Sequence, residues 1–277
     1  MYEPKFLPNL IELGKDLMNI KYGVSLHEKR VDPNSPETEP LHLHGYLEVF
    51  FNLSDEVSFL VDNGVYEVLK GDILVSKPNE VHMCLYKKEG VHKHFCLWVS
   101  GLENSELIRF IYRKDFNPLY SFSVETKELL KQWFFILHEQ TNAGTDELSK
   151  ITALFSILNT IKEQTGKSAE ETVLPKQFQN VLDFVKGNFS TISGVGDISD
   201  KFYVSVPTLN RWFKKYLRLS PAKYLESLKL ANAKKLLLSG CSVTEACYGS
   251  GFNDCSHFIA LFKSRFKVTP NKFKKGE

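Results

Sequence analysis

The chain has 277 residues, 43% hydrophobic and 25% charged, the composition of a globular protein long enough for two domains with a core in each. It opens Met-Tyr-Glu-Pro with no basic run leading into an apolar one, and no apolar stretch approaches the ~20 residues that span a bilayer, so neither a secretory leader nor a membrane helix is expected. The net charge of +2 conceals an asymmetry: residues 177–277 hold 16 Lys/Arg against 7 Asp/Glu and the first 176 hold 19 against 26, so a basic end suited to a polyanion follows an acidic one.

Residues 7–18 predict an amphipathic helix. Residues 22–100 read as strands, with β-branched or aromatic runs at Val49–Phe51, Val57–Val61, Val65–Val68, Ile73–Val75 and Phe95–Val99. Asp62-Asn63-Gly64 is a hairpin signal, and Lys70-Gly71-Asp72 and Lys77-Pro78-Asn79 are turns. Many short strands at close spacing predict a small barrel or sandwich. The five cysteines (Cys84, Cys96, Cys241, Cys247, Cys255) are odd in number and form no CxxC pair. They fit free thiols in a reducing cytoplasm better than a disulfide framework or a zinc site.

From Ser123 the period becomes helical. One helix is predicted from Val124 to about Gln140, then an Asn142-Ala143-Gly144 turn, then a second helix capped by Thr145 and running to about Gln164. In the second helix Leu148, Ile151, Phe155 and Leu158 fall at heptad spacing, with Leu154 and Ile161 beside them. Packing within the chain and a dimer seam both fit this stripe. Residues 166–176 are polar, lack periodicity and end in Pro175-Lys176, the pattern of a linker between domains at 1–165 and 177–277.

The basic end contains an internal repeat. Leu209–Pro221 matches Phe258–Pro270 at an offset of 49 residues, each copy reading apolar, Phe-Lys, basic, apolar, Ser/Thr-Pro. In the first copy a short helix at Ile198–Tyr203 precedes a helix capped by Ser205, with Pro207 in its first turn. In the second, Val243–Gly249 is the short helix, Gly251 makes the turn, and Asp254 caps a helix to about Phe266. Short helix, turn, capped helix is the helix-turn-helix pattern, whose second helix fits a DNA major groove. Between the copies an 18-residue helix, with Tyr224, Leu225, Leu228, Ala231, Leu236 and Leu238 as its apolar face, starts at Ser220-Pro221 and ends at Ser239-Gly240. At about 1.5 Å per residue it spans roughly 27 Å, which suits two reading helices about one DNA turn (~34 Å) apart.

At these residues the chain resembles the AraC/XylS family of transcription regulators, over about residues 178–274. Phe252-Asn253-Asp254-Cys255-Ser256-His257-Phe258, followed by Leu261-Phe262-Lys263 and Val268-Thr269-Pro270, is similar to the family's signature. The resemblance implies a seven-helix domain that binds double-stranded DNA through two helix-turn-helix units, and a regulator that activates, with RNA polymerase as a further partner. Carried over by position, the base-facing residues are Pro207, Asn210 and Arg211 in the first unit and Cys255, Ser256, Ile259 and Ala260 in the second. Arg211 suits guanine O6/N7 and Asn210 suits adenine, so the first unit is expected to carry most base specificity, with the second meeting thymine methyls and backbone. Lys214, Lys215, Arg218, Lys263, Arg265, Lys267 and Lys272 are the candidate phosphate contacts. The sequence departs from the family pattern at Tyr203, Arg218 and Lys267, which stand where glycine is usual, and at Lys229, which replaces an arginine and its bidentate fork.

In the N-terminal part, His42-Leu43-His44, Glu48, Gly71-Asp72 and Pro78 before His82 together resemble the cupin pattern. The expected fold class is therefore α+β with two domains, a cupin-like barrel with a helical dimerisation segment and an all-α DNA-binding domain. His42 and His44 alternate and so share a face; with Glu48 and His82 they make three histidines and a carboxylate, a set suited to zinc, iron or manganese. Three readings stand: a metal-dependent enzyme, a sensor pocket in which the same residues hydrogen-bond a sugar or related metabolite, and a pocket with no ligand. The attached DNA-binding domain favours the sensor, with His42, His44, Tyr46, Glu48, His82 and Trp98 holding the effector, and no metal, cofactor or catalytic residue is assigned. His92 and His94 alternate on another strand and read as structural. The resemblance to sugar-responsive family members further implies a homodimer through residues 123–164.

Overall fold

The computed structural model describes residues 20–32, 41–55, 57–62, 64–86, 88–102, 105, 107–114, 116–144, 146–164, 171–172 and 174–275. The helix expected at 7–18, Asn63 of the hairpin, the cap at Thr145 and most of the segment 166–176 lie outside these residues.

The first half of the chain is two sheets. Strands β1 (Lys21–Val31), β2 (Leu47–Asn52), β5 (Ile73–Ser76), β7 (Gly90–Ser100) and β8 (Leu119–Tyr120) form one, in the order β1-β7-β2-β5-β8. Strands β3 (Val57–Val61), β4 (Gly64–Val68), β6 (His82–Leu85) and β9 (Glu171–Thr172) form the other, in the order β6-β3-β4-β9. Every residue of β2 is buried because both of its faces are covered, which is why it reads as a continuous apolar run rather than an alternation. Val49 and Phe51 face outward with Phe95, Leu97 and Val99 into a cluster shared with helices α1 (Val124–Ala143) and α2 (Glu147–Glu163). Phe50 faces inward with its sheet neighbour Leu74 and with Phe59, Val61 and Cys84 of the opposing sheet. By the same alternation Glu48, Phe50 and Asn52, paired across from Trp98, Cys96 and His94, point between the sheets. Long β1, which pairs with β7 from Lys21 opposite Ser100 to Val31 opposite Gly90, escapes the sequence signals because it carries many polar and charged residues, and β6 because it is just four residues long and has no β-branched side chain.

Ser123 caps α1 by accepting a hydrogen bond from the Thr126 amide, and the helix runs through Asn142-Ala143 to a left-handed Gly144 (φ 64°). The α2 cap is Asp146, whose carboxylate accepts from the Leu148 amide. The heptad stripe of α2 divides: Leu154, Leu158 and Ile161 are buried against the chain's own sheet and α1, Ile151 and Phe155 are half-buried, and Leu148 is exposed.

From Lys176 onward the described residues form seven helices: α3 (Lys176–Asn188), α4 (Val195–Phe202), α5 (Val206–Leu217), α6 (Pro221–Leu238), α7 (Val243–Gly249), α8 (Cys255–Phe266) and α9 (Pro270–Lys275). The apolar face read for α6 needs correction at its end, where Leu238 is exposed and Leu230, Ala233 and Leu237 are buried instead. The cause is that α6 serves two cores. Its N-terminal Tyr224, Leu225 and Leu228 pack with α3, α4 and α5, and its C-terminal Leu230, Ala233 and Leu237 pack with α7 and α8. The first of these cores continues into Leu41, Leu60, Val65, Met83 and Leu85 of the second sheet, which joins the helical half to the sheets. No helix among the described residues is long and apolar enough to cross a membrane.

Candidate nucleic-acid interface and barrel site

In the first helix-turn-helix, α4 ends at Tyr203, which adopts the left-handed conformation (φ 53°, ψ 39°) and returns its amide to Asp200 and Ser199. Ser205 then caps α5 by accepting from the Thr208 amide, with Pro207 in the first turn where no amide is needed. Leu209, Phe213 and Leu217 are spaced to bury one side of α5, leaving Pro207, Asn210, Arg211, Lys214, Lys215 and Arg218 exposed on the rest. Asn210 turns its Nδ2 back to the Val206 carbonyl at 3.0 Å, a bond it must release to donate to a base.

The second unit repeats the construction. Ser242 and Glu245 form a reciprocal capping box at the start of α7, a Ser-x-x-Glu signal that was readable in the sequence and was missed. Gly251 (φ 80°) makes the turn at a place where a Cβ would sit 2.2 Å from the Ser190 carbonyl oxygen, so the position requires glycine on two counts. Asp254 caps α8 by accepting from the Ser256 and His257 amides. Phe258 and Phe262 are buried, while Ser256, Ile259 and Ala260 are exposed and Cys255 is half-buried. The Cys255 thiol lies beside Cys247, whose own thiol burial pushes up to about 12, so Cys255 is the least presented of the expected base contacts.

Lys214, Lys215, Arg218, Lys263, Lys267 and Lys272 are exposed. Arg265 is not: it is half-buried and donates from its guanidinium to the Leu41 carbonyl at 2.8 Å. Lys234 of α6 likewise donates to the Leu43 carbonyl at 3.3 Å, and Lys186 of α3 meets Asp62. No local pattern marks these three, because their partners are main-chain or turn groups more than a hundred residues away. Lys229, despite lacking an arginine's fork, makes two bonds with its buried amine, to the Ile192 and Gly251 carbonyls, both at 2.8 Å.

The six residues expected to hold an effector do come together. His42 forms a bridge with His82, exchanging both main-chain hydrogen bonds at 2.9 and 3.0 Å. Glu48 enters from β2 with Trp98 opposite it on β7. His44 Nε2 lies 2.9 Å from Glu48 Oε2, and His82 Nε2 lies 3.6 Å from Glu48 Oε1. Tyr46 stacks on His44 with ring centres 3.8 Å apart and stands 5.7 Å from the Trp98 ring, which is 36% exposed. Burial pushes the Glu48 carboxyl up, but the His44 hydrogen bond and the surrounding imidazoles outweigh it and hold the group at about 2. Burial, with His42 beside it, brings His82 down to about 3, so at neutral pH it is an uncharged imidazole. One donor atom from each of His42, His44, Glu48 and His82 lies within 4.8 Å of all the others. That spacing leaves room for no more than an ion or a water-sized group between the donors.

Residues 198–276 match the HTH_18 family, described as a helix-turn-helix domain. The chain is 22% identical over 258 residues to the HTH-type transcriptional activator RhaS of Pectobacterium carotovorum, covering 88% of this chain and 91% of that protein. It is 24% identical over 284 residues to the uncharacterized HTH-type transcriptional regulator YdeC of Bacillus subtilis, covering 96% of each. Among solved structures, ToxT of Vibrio cholerae O395 aligns over 93% of this chain and 98% of its own, at 14% identity and a TM-score of 0.39.

Proposed function

We propose that the chain is a DNA-binding transcription regulator of the AraC/XylS family, controlled by a small ligand taken up at the His42, His44, Glu48 and His82 cluster. In this reading residues 1–165 sense the ligand, 166–176 connect, and 177–277 read a cytoplasmic operator, with Arg211 and Asn210 carrying most base recognition. The observation that supports DNA reading best is the pair of capped helices, α5 and α8, each presenting small or polar side chains opposite a buried face and each followed by exposed lysines. The ligand reading is supported by the convergence of four donors, three of them buried, in the same chain as a DNA-binding domain. A ligand changes output only where it binds one arrangement of the chain better than another. Homodimerisation through residues 123–164 belongs to the proposal, supported by what α1 and α2 leave uncovered: Leu129, Ile136 and Leu148 are exposed. RNA polymerase is the further partner when the bound chain activates.

The test is capture of genomic fragments by the full chain at ~0.15 M salt, where non-specific binding is weak. Discrete enriched sites are the expected result; enrichment no better than random fragments, with and without cell extract, overturns the reading.

A further inference from the structure

This inference rests on the reading of α5 and α8 as DNA-reading helices and concerns what fixes one against the other. Two apolar cores share α6. Tyr224, Leu225 and Leu228 belong to the core of the first unit, Leu230, Ala233 and Leu237 to that of the second, and the two clusters are separate. Apolar packing therefore holds each unit on its own half of α6 and leaves the angle between the units to other contacts. Between them opens a cleft of about 520 Å³, lined by Val195 of the first unit, Leu225 and Glu226 of α6, and Asp254 and His257 of the second.

Polar contacts join the units beside that cleft. Lys229 lies on α6 between the two sets of core residues and is buried. Its amine donates to the Ile192 carbonyl in the loop before α4 and to the Gly251 carbonyl in the turn of the second unit, both at 2.8 Å. Burial takes water from the amine and pulls it below the usual lysine range, with the Asp197 carboxylate working against that shift. The same turn meets the same loop a second time, since a Cβ on Gly251 would sit 2.2 Å from the Ser190 oxygen. Asn232, three residues further along α6, donates from Nδ2 to the Ser250 hydroxyl at 3.1 Å and to the Gly249 carbonyl at 3.3 Å. The lever arm is long: the 18 residues of α6 span roughly 27 Å, so a tilt of about 10° between the units moves one reading helix by about 5 Å. That exceeds the ~3.4 Å rise of one base pair. We propose that Lys229 is a positioning residue for operator reading: by tying the Ile192 loop to the Gly251 turn it makes α5 and α8 a rigid pair, so that the chain accepts one distance between the two segments it reads. Lys229 needs no contact with DNA for this; it acts through the placement of the two helices.

The experiment compares full-length wild type, K229M, K229R and N232A on an operator recovered by genomic capture and on versions with one base pair added or removed between its two contacted segments. Wild type is expected to bind the altered spacings at least about 10-fold more weakly, K229M to narrow that penalty to about 3-fold or less, and N232A to narrow it in part. K229R, whose guanidinium has donors for both carbonyls, is expected to keep the wild-type penalty. Urea unfolding of each variant separates this effect from lost stability, because general destabilisation weakens binding to all spacings alike and leaves their ratio unchanged. A wild-type penalty in K229M, or in N232A where K229M does not fold, overturns the inference, as does a wild-type chain indifferent to spacing; each leaves the regulator reading standing. Absence of discrete operator sites overturns the regulator reading itself.

Discussion

Tyr203, Arg218 and Lys267 are three of the five non-glycine residues with positive φ among the described residues, at 53°, 55° and 64°. Each closes a helix of a helix-turn-helix unit, at the positions where the AraC/XylS pattern that the sequence resembles has glycine. The backbone therefore keeps the turn and the side chain bears the strain, about 1–2 kcal/mol for an L residue in this region. Tyr203 is 97% exposed and has no packing to offset it. Y203G is expected to raise stability by about 1 kcal/mol, read as a higher midpoint in urea unfolding. His94 predicts a pH dependence. Burial, with His92 and His27 nearby, lowers it from 6.5 to about 3. Between those values the unfolded chain binds the extra proton, so the stability due to neutral His94 is complete above about pH 6.5 and is lost as pH falls toward 3. Urea unfolding across pH 4–7 in H94N is expected to show a slope shallower by up to about one proton; an unchanged slope contradicts the assignment. His92 and His94 read as structural in the sequence, and their burial between the sheets gives the physical reason.

At the scale of elements, the two recognition helices differ in what they present. Helix α5 exposes Asn210 and Arg211; α8 exposes Ser256, Ile259 and Ala260, which offer short or apolar contacts. R211A is expected to cost about 1–3 kcal/mol at a cognate site and to relax preference at one base pair, whereas K214A is expected to weaken all sequences alike and lower the salt slope by about 1. Binding titrations on matched and singly substituted operators at several salt concentrations distinguish the two. The starts of these helices were legible because Ser205 and Asp254 declare themselves as caps followed by helical periodicity. The heptad stripe of α2 was legible as a stripe only. Leu154, Leu158 and Ile161 are buried within the chain while Leu148 is exposed, and spacing alone does not say which apolar residue meets which surface.

At the scale of the whole molecule, Phe178 of α3 sits in the cluster that spans the second sheet and the first helix-turn-helix, with Phe213 and Tyr216 against its ring. F178A is expected to destabilise the chain by about 3–5 kcal/mol, measured by denaturant unfolding, because it opens a cavity in the joint of both halves. Sequence alone determined the order of sheets before helices, the repeat at 49 residues and most helix ends, since these follow from periodicity, capping and turn residues within a few positions of each other. The resemblance to the cupin pattern also named all four residues of the barrel cluster, His82 included, while alternation by itself only put His42 and His44 on one face. Only the tertiary structure decided that their donor atoms converge within 4.8 Å, and that Arg265 and Lys234 hold the main-chain carbonyls of Leu41 and Leu43 rather than facing solvent. The reason is physical: carbonyl groups are alike along every strand, and which of them meets a distant cation depends on how the helical half packs onto the sheet, which is set by Leu41, Leu60, Met83 and Phe178 acting together.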